Sequence, residues 1–148
     1  MQTGREREGL ILPFLGPLYG ALSGLAETLL RVFCGIALVV HGTPKILDPF
    51  GSTGMVESIG FFPGALWSLL LSICEFGSGV LLVVGFLTRP AALVATVLLL
   101  VTVYFHWIQL GQGWDGSEKS ILWAAVTFFF VANGARTLSV DRMLGRAF

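Results

Sequence analysis

Four long apolar segments alternate with shorter polar segments along the chain. A helix needs about 20 apolar residues to cross the hydrocarbon core of a bilayer, and three of the segments are near that length, while the fourth is shorter. A tight turn joins the second and third segments, and the other connections are longer and rich in Gly, Pro, Asp and Ser. The pattern predicts an all-α integral membrane four-helix bundle with antiparallel up-down spans. The predicted spans are about Ala21–Val40, Gly64–Leu87, Pro90–Ile108 and Ser120–Asn133.

The spans divide the chain into three predicted parts. Residues 1–20 form a cytoplasmic tail and an interfacial segment, residues 21–134 form the membrane bundle, and residues 135–148 form a cytoplasmic C-terminal tail. The first residues mix Arg with Glu, and prolines interrupt the apolar stretch that follows, so a cleavable signal peptide is not indicated. In the C-terminal tail, Ser139 and Asp141 are placed to cap a short helix.

Basic residues are distributed unevenly between the two predicted membrane faces. Cytoplasmic loops of membrane proteins carry an excess of Lys and Arg, so the face that is richer in these residues is assigned to the cytoplasm. This predicts a multi-pass membrane protein with both termini in the cytoplasm. Lys45 and Lys119 flank the outer face, and the cytoplasmic face has Arg5, Arg7, Arg89, Arg136, Arg142 and Arg146.

The composition limits the classes of function that the chain can have. Hydrophobic residues make up 55% of the chain and charged residues 12%, against roughly 25% charged residues in a soluble domain. The net charge is zero, so no nucleic-acid partner is indicated. Cys34 and Cys74 form neither a CxxC motif nor a metal-binding spacing, so no metal site is predicted. The expected partners are the lipid bilayer and other membrane or membrane-associated protein subunits.

Two opposite charges stand inside the apolar spans. Arg31 and Glu75 lie near the middle of the first two spans, at about the same predicted depth. An unpaired charge there costs roughly 2.5–3.5 kcal/mol on the insertion scale, so the two residues are predicted to form a buried ion pair. Glu27 lies one turn from Arg31, so one arginine faces two carboxylates. Two interpretations stay open, namely a structural pair that fixes helix register and a proton relay through a protonated carboxylate.

Polar residues also recur at alternating spacings of four and three within each span, which predicts a polar seam inside the bundle. His41 and His106 lie toward the outer ends of their spans. They are open to three interpretations: hydrogen-bonded residues at the interface, a site for a ligand such as a quinone headgroup, and haem ligands. The residues predicted to form an outward-facing pocket are His41, Lys45, His106, Gln109, Glu118 and Lys119.

An ordered set of motifs runs through most of the chain, from about residue 30 to residue 144. It contains the segments CEFGSGVLLVVGFLTRPAAL, VYFHW and GARTLSVDRML, preceded by Arg31, Gly35, His41–Gly42 and Lys45. In its order and spacing the set resembles the DoxX family of small four-span membrane proteins. The resemblance implies a link to membrane redox systems, including thiosulfate:quinone oxidoreductase subunits and oxidative-stress assemblies. The chain has no extra cysteine pair, which argues against a disulfide-exchange role.

Taken with this resemblance, the residues predict a DoxX-like integral membrane subunit of a redox-associated assembly in the bacterial inner membrane. The subunit is expected to contact quinone and to have no stand-alone catalytic activity. This function requires a ligand pocket near His41 and His106. One alternative is a structural accessory subunit of a larger photosynthetic or respiratory complex, with Phe128–Phe130 buried against another chain. Another is a small proton or solute carrier. A carrier requires a wet path past Glu27, Arg31 and Glu75.

Overall fold

The computed structural model describes residues 12–145, and every regular element in this part of the chain is a helix. The predictions for residues 1–11 and 146–148, including those for Arg5, Arg7 and Arg146, lie outside the described residues. A short 3-10 turn, Pro13–Leu15, precedes the first long helix. The helices are α1 (Gly16–Leu47), α2 (Thr53–Ser58), α3 (Gly64–Val84), α4 (Thr88–Tyr104), α5 (Gly113–Asn133) and α6 (Val140–Met143), and a π-helical turn, Phe105–Gln109, directly follows α4.

Three helices within residues 12–145 are long and apolar enough to cross a membrane. They are α1, α3 and the continuous helix Thr88–Gln109 that α4 forms with its π-turn. The predictions of an all-α fold and of membrane-spanning helices are therefore confirmed. The fourth predicted span corresponds to α5. Because α5 carries Asp115, Glu118 and Lys119 in its first turns, its apolar part is shorter than the helix itself.

Helix α1 extends beyond the predicted span Ala21–Val40 at both ends. Pro17 lies in its first turn, where the missing N–H would have no partner within the helix. Pro44 lies in its last turn, and the helix continues to Leu47. Arg31 reaches carbonyl groups at the C-terminal end of α3. The part of α1 before Arg31 therefore lies beyond the end of α3.

Glycines bring the backbones of α1 and α3 into direct contact. A Cβ atom on Gly35 would lie 2.7 Å from the carbonyl oxygen of Gly79. A Cβ atom on Gly42 would lie 2.9 Å from the backbone nitrogen of Phe76. Small residues at helix contacts are typical of membrane proteins, since lipid supplies no hydrophobic drive for helix association and close packing must supply the attraction. These contacts fix the register of α1 along α3.

A tight turn at Gly85 joins α3 to α4. Gly85 has a φ of 69° and ends α3 in a Schellman motif, in which Gly85 N–H and Phe86 N–H donate to carbonyls of the last helical turn. Helix α4 then packs on α5, where the Thr96 hydroxyl donates to the Thr127 hydroxyl over 2.8 Å. We call the end of the molecule that contains Gly85 the turn end. The buried apolar core consists of Cys34, Leu38, Leu82, Ala91, Ala92, Ala95, Leu99, Ala124 and Phe130.

Candidate functional site

A polar pocket lies between α1, α3, α4 and α5. It is a cavity of about 290 Å³ whose apolar walls come chiefly from leucine side chains and Trp123. Side chains that can donate or accept hydrogen bonds, or carry charge, converge on it from all four helices. Such a small set of polar groups in an otherwise apolar cavity is typical of a ligand site. The polar side chains that line it are His41, Lys45, Glu75, Thr102, His106, Lys119 and Ser120.

An ion pair joins α1 to α3 at the wall of this pocket. The Nζ atom of Lys45 donates to Oε2 of Glu75. The Glu75 side chain is only 5% exposed, whereas that of Lys45 is 30% exposed. A carboxylate so deep in the molecule needs a partner, because its transfer out of water is costly. Lys45 supplies that partner.

The predicted ion pair between Arg31 and Glu75 is wrong. The buried Arg31 guanidinium donates instead to three backbone carbonyls, those of Leu82, Val83 (3.0 Å) and Leu138 (2.8 Å). The prediction placed both charges at one depth on the assumption that the first span is Ala21–Val40. Because α1 is longer and its register on α3 is different, Arg31 lies at the turn end and Glu75 lies halfway along α3.

Glu27 and Asp141 are the carboxylates whose charges act on Arg31. Oε1 of Glu27 accepts a hydrogen bond from the Arg136 backbone N–H over 2.7 Å. Of Glu27, Arg31 and Glu75, only Glu75 lines the polar pocket. The wet path that a proton carrier requires therefore has no support in the pocket's lining.

Asp141 plays a part that the sequence interpretation missed. Its carboxylate accepts hydrogen bonds from the backbone N–H groups of Leu87 (2.8 Å) and Thr88 (2.9 Å), so it caps the N-terminus of α4 rather than α6. Ser139 does cap α6, since its hydroxyl accepts from Arg142 N–H over 3.2 Å. Arg31 at the C-terminus of α3 and Asp141 at the N-terminus of α4 each carry the charge that complements the adjacent helix dipole.

The two histidines both line the pocket. His106 belongs to the π-helical turn, and its Nδ1 lies 2.9 Å from the carbonyl oxygen of Thr102. A carbonyl only accepts hydrogen bonds, so Nδ1 carries the proton in this contact, and Nε2 is an acceptor when the ring is neutral. His41 is exposed on α1. The pocket therefore offers lysine donors together with an imidazole acceptor.

Two predicted pocket residues lie elsewhere. The Gln109 side chain donates to the Ser58 carbonyl over 3.4 Å and does not line the pocket. Glu118 is exposed, and its neighbour Lys119 lines the pocket. The residues that the prediction omitted, Glu75, Thr102 and Ser120, all belong to the alternating polar positions of their helices, which was the signal that could have identified them.

The aromatic segment considered for a structural subunit is only partly available to another chain. Phe130 is completely buried in the chain's own core. Phe128 and Phe129 are exposed on α5, on a surface that lipid can also cover. Their exposure therefore does not distinguish a protein partner from the bilayer.

The sequence is similar to a protein family and to proteins of two bacteria. A family model described as DoxX matches residues 26–107. An uncharacterized protein of Haemophilus influenzae is 27% identical over 119 residues, which cover 76% of this chain and 85% of the relative. Inner membrane protein YqjF of Escherichia coli is 26% identical over 118 residues, 78% of this chain and 89% of the relative. No solved structure matches. Since the family model covers more than half of the sequence, the chain belongs to the DoxX family of membrane proteins.

Proposed function

We propose that this DoxX protein is a membrane subunit of a redox-associated assembly and that its polar pocket binds the headgroup of a quinone. The observation that carries the proposal is the convergence of two lysines, two histidines and one buried carboxylate on a single cavity between apolar helices. The volume of about 290 Å³ is near the lower end of the range for ligand sites, roughly 300–1,000 Å³. It suits one substituted ring better than a long chain, so an isoprenoid tail would lie in the lipid.

The pocket chemistry matches both redox forms of such a ring. A quinone presents two carbonyl oxygens that need donors, and the ammonium groups of Lys119 and Lys45 are donors at the pocket wall. A quinol presents hydroxyl groups that need acceptors, and Nε2 of His106 is one. Because Glu75 neutralises Lys45, the exposed Lys119 leaves the pocket with a net positive charge that favours electron-rich oxygens.

The first prediction concerns quinone affinity. Ubiquinone-1 added to the purified protein is expected to quench the fluorescence of Trp123, which lines the pocket. His106→Ala and His41→Ala are each expected to raise Kd about five- to tenfold, the loss of one hydrogen bond of ~1–1.5 kcal/mol. Trp123→Phe identifies the part of the signal that comes from the pocket.

Gln109→Ala is the matched control for these variants. Gln109 follows His106 by one turn but lies outside the pocket, so its substitution is expected to leave Kd unchanged. Unchanged affinity in both histidine variants, or an equal loss in Gln109→Ala, would count against a quinone site in this cavity.

We also propose that the protein has four antiparallel spans, with both termini in the cytoplasm of a bacterium. Three observations support the arrangement. Along α1 and α3, rising residue numbers on one helix meet falling numbers on the other, from Gly35 opposite Gly79 to Gly42 opposite Phe76. Helices α4 and α5 are in contact along their length and share the hydrogen bond between Thr96 and Thr127. The related YqjF is named as an inner membrane protein.

The second prediction tests this topology. A reporter enzyme that is active only in the cytoplasm is expected to be active when it is fused after Phe148. The same reporter is expected to be inactive when it is inserted after Ser52, in the connection between α1 and α3. The expectation follows from the excess of arginine at the turn end. Activity at Ser52 together with inactivity at Phe148 would reverse the proposed orientation.

A further inference from the structure

A cleft lies at the turn end, between the last residue of α3 and the segment that contains α6. Its volume is about 570 Å³, and apolar side chains of Val84, Leu138, Val140 and Met143 form most of its lining. Arg142 is the charged residue of the lining. The Arg142 guanidinium is exposed and has no hydrogen-bond or ion-pair partner within the described residues. The cleft thus combines an apolar surface with one free cation.

The charges around the cleft are predominantly positive. Among the described residues, the turn end carries four arginines and two carboxylates, which gives it a net charge of +2. Both carboxylates already accept hydrogen bonds from backbone N–H groups, Asp141 from Leu87 and Thr88, and Glu27 from Arg136. The remaining described residues carry two lysines and five carboxylates, a net charge of −3. An anion is therefore attracted to the turn end rather than to the rest of the chain.

Large apolar side chains remain uncovered beside these arginines. Leu138 is 75% exposed, Met143 is 85% exposed and Leu144 is 55% exposed. They lie next to the ends of α3 and α4, where two helices that are apolar enough to span a membrane meet its surface. Apolar side chains interspersed with arginines are typical of a segment that lies in the interfacial layer of a bilayer.

The walls of the cleft are held in place by the chain itself. Arg31 donates to the Leu138 carbonyl over 2.8 Å, and Asp141 N–H donates to the Gly85 carbonyl over 3.0 Å. The Asp141 carboxylate adds its two bonds to the start of α4. A ligand that enters the cleft therefore does not have to order this segment, which lowers the entropic cost of binding.

We infer that this cleft binds one anionic phospholipid, with its phosphate on Arg142 and an acyl chain along Val84, Leu138 and Met143. A free inorganic anion would gain the contact with Arg142 but would leave the apolar walls uncovered. A zwitterionic phospholipid would cover the walls but would bring its own cation close to a surface of net positive charge. An anionic phospholipid satisfies both features.

Native mass spectrometry tests this inference. The full-length protein is incubated with an equimolar mixture of phosphatidylglycerol and phosphatidylethanolamine and is then released from detergent in the spectrometer. The protein is expected to retain one phosphatidylglycerol in preference to phosphatidylethanolamine. Arg142→Gln is expected to reduce that preference at least fivefold. Arg136→Gln is the matched control, because Arg136 is an exposed arginine of the same face whose side chain donates to Asn133 outside the cleft. It is expected to keep the preference.

A second variant tests the apolar half of the site without changing any charge. Val84→Trp fills the cleft from the end of α3 and is expected to reduce retention of both lipids. Circular dichroism of each variant checks that the helices are retained. The inference would be overturned by equal effects of Arg142→Gln and Arg136→Gln, or by equal retention of the two lipids. It would also be overturned if added inorganic phosphate displaced the lipid completely.

Discussion

Replacing Arg31 with Ala is expected to lower the free energy of unfolding by at least ~3 kcal/mol. The substitution removes the donor from three carbonyls, those of Leu82, Val83 and Leu138, and each buried acceptor left unsatisfied costs about 1–3 kcal/mol. It also leaves Asp141 without the positive charge that faces it. The measurement is equilibrium unfolding in mixed micelles of dodecylmaltoside and sodium dodecyl sulfate. Arg136→Ala is the control and is expected to change stability by about 0.5 kcal/mol or less, since Arg136 is exposed.

Double-mutant cycles assign the partners of these charges. Arg31→Ala and Asp141→Ala are expected to couple by more than ~0.5 kcal/mol, because both residues hold the segment that contains α6 onto the turn at Gly85. Lys45→Met and Glu75→Gln are expected to couple as direct partners. The effects of Arg31→Ala and Glu75→Gln on the free energy of unfolding are expected to be additive. A larger coupling of Arg31 with Glu75 than with Asp141 would contradict these contacts.

The depth of Arg31 in the bundle could not be predicted from the sequence. Apolar character located the first span, but the depth of a residue depends on where the helix starts and on its register against its neighbour. α1 begins at Gly16 and passes through Pro44, although glycine and proline usually indicate that a helix is ending. The register is fixed by glycine contacts such as that between Gly35 and Gly79, which local sequence does not reveal.

The pocket could be predicted in part because helical periodicity does not depend on helix ends. His41 and Lys45 are one turn apart on α1, and both line the cavity, as does His106. The prediction that Gln109 lines the pocket is wrong because the last turn of its helix is a π-turn, which inserts an extra residue and rotates the positions after it. The prediction that Asp141 caps the short C-terminal helix is wrong for another reason. Its partner N–H groups lie 53 and 54 residues earlier in the chain, whereas capping rules consider only near neighbours.

Replacing Gly79 with Ala is expected to destabilise the protein, and the same change at Gly77 is expected to stabilise it slightly. A Cβ atom on Gly79 would lie 2.8 Å from the backbone nitrogen of Val39 and 2.9 Å from the carbonyl oxygen of Gly35. Backbone atoms cannot move aside as a side chain can, so α1 and α3 must separate, at a cost of about 1–3 kcal/mol. A Cβ atom on Gly77 would meet nothing within 4 Å. There the higher helix propensity of Ala contributes up to about 1 kcal/mol.

Unfolding in the same mixed micelles measures both changes in stability. Because the two glycines lie two residues apart on one helix, opposite signs of these changes would be due to their different surroundings. Gly79→Leu is expected to give little folded protein, since its side chain is too large for any small shift of α1 to accommodate. Separation of the helices would also withdraw Lys45 from Glu75, so Gly79→Ala is expected to weaken ubiquinone-1 binding while Gly77→Ala leaves it unchanged. Equal stability of Gly79→Ala and Gly77→Ala would mean that α1 and α3 are not in backbone contact at this position.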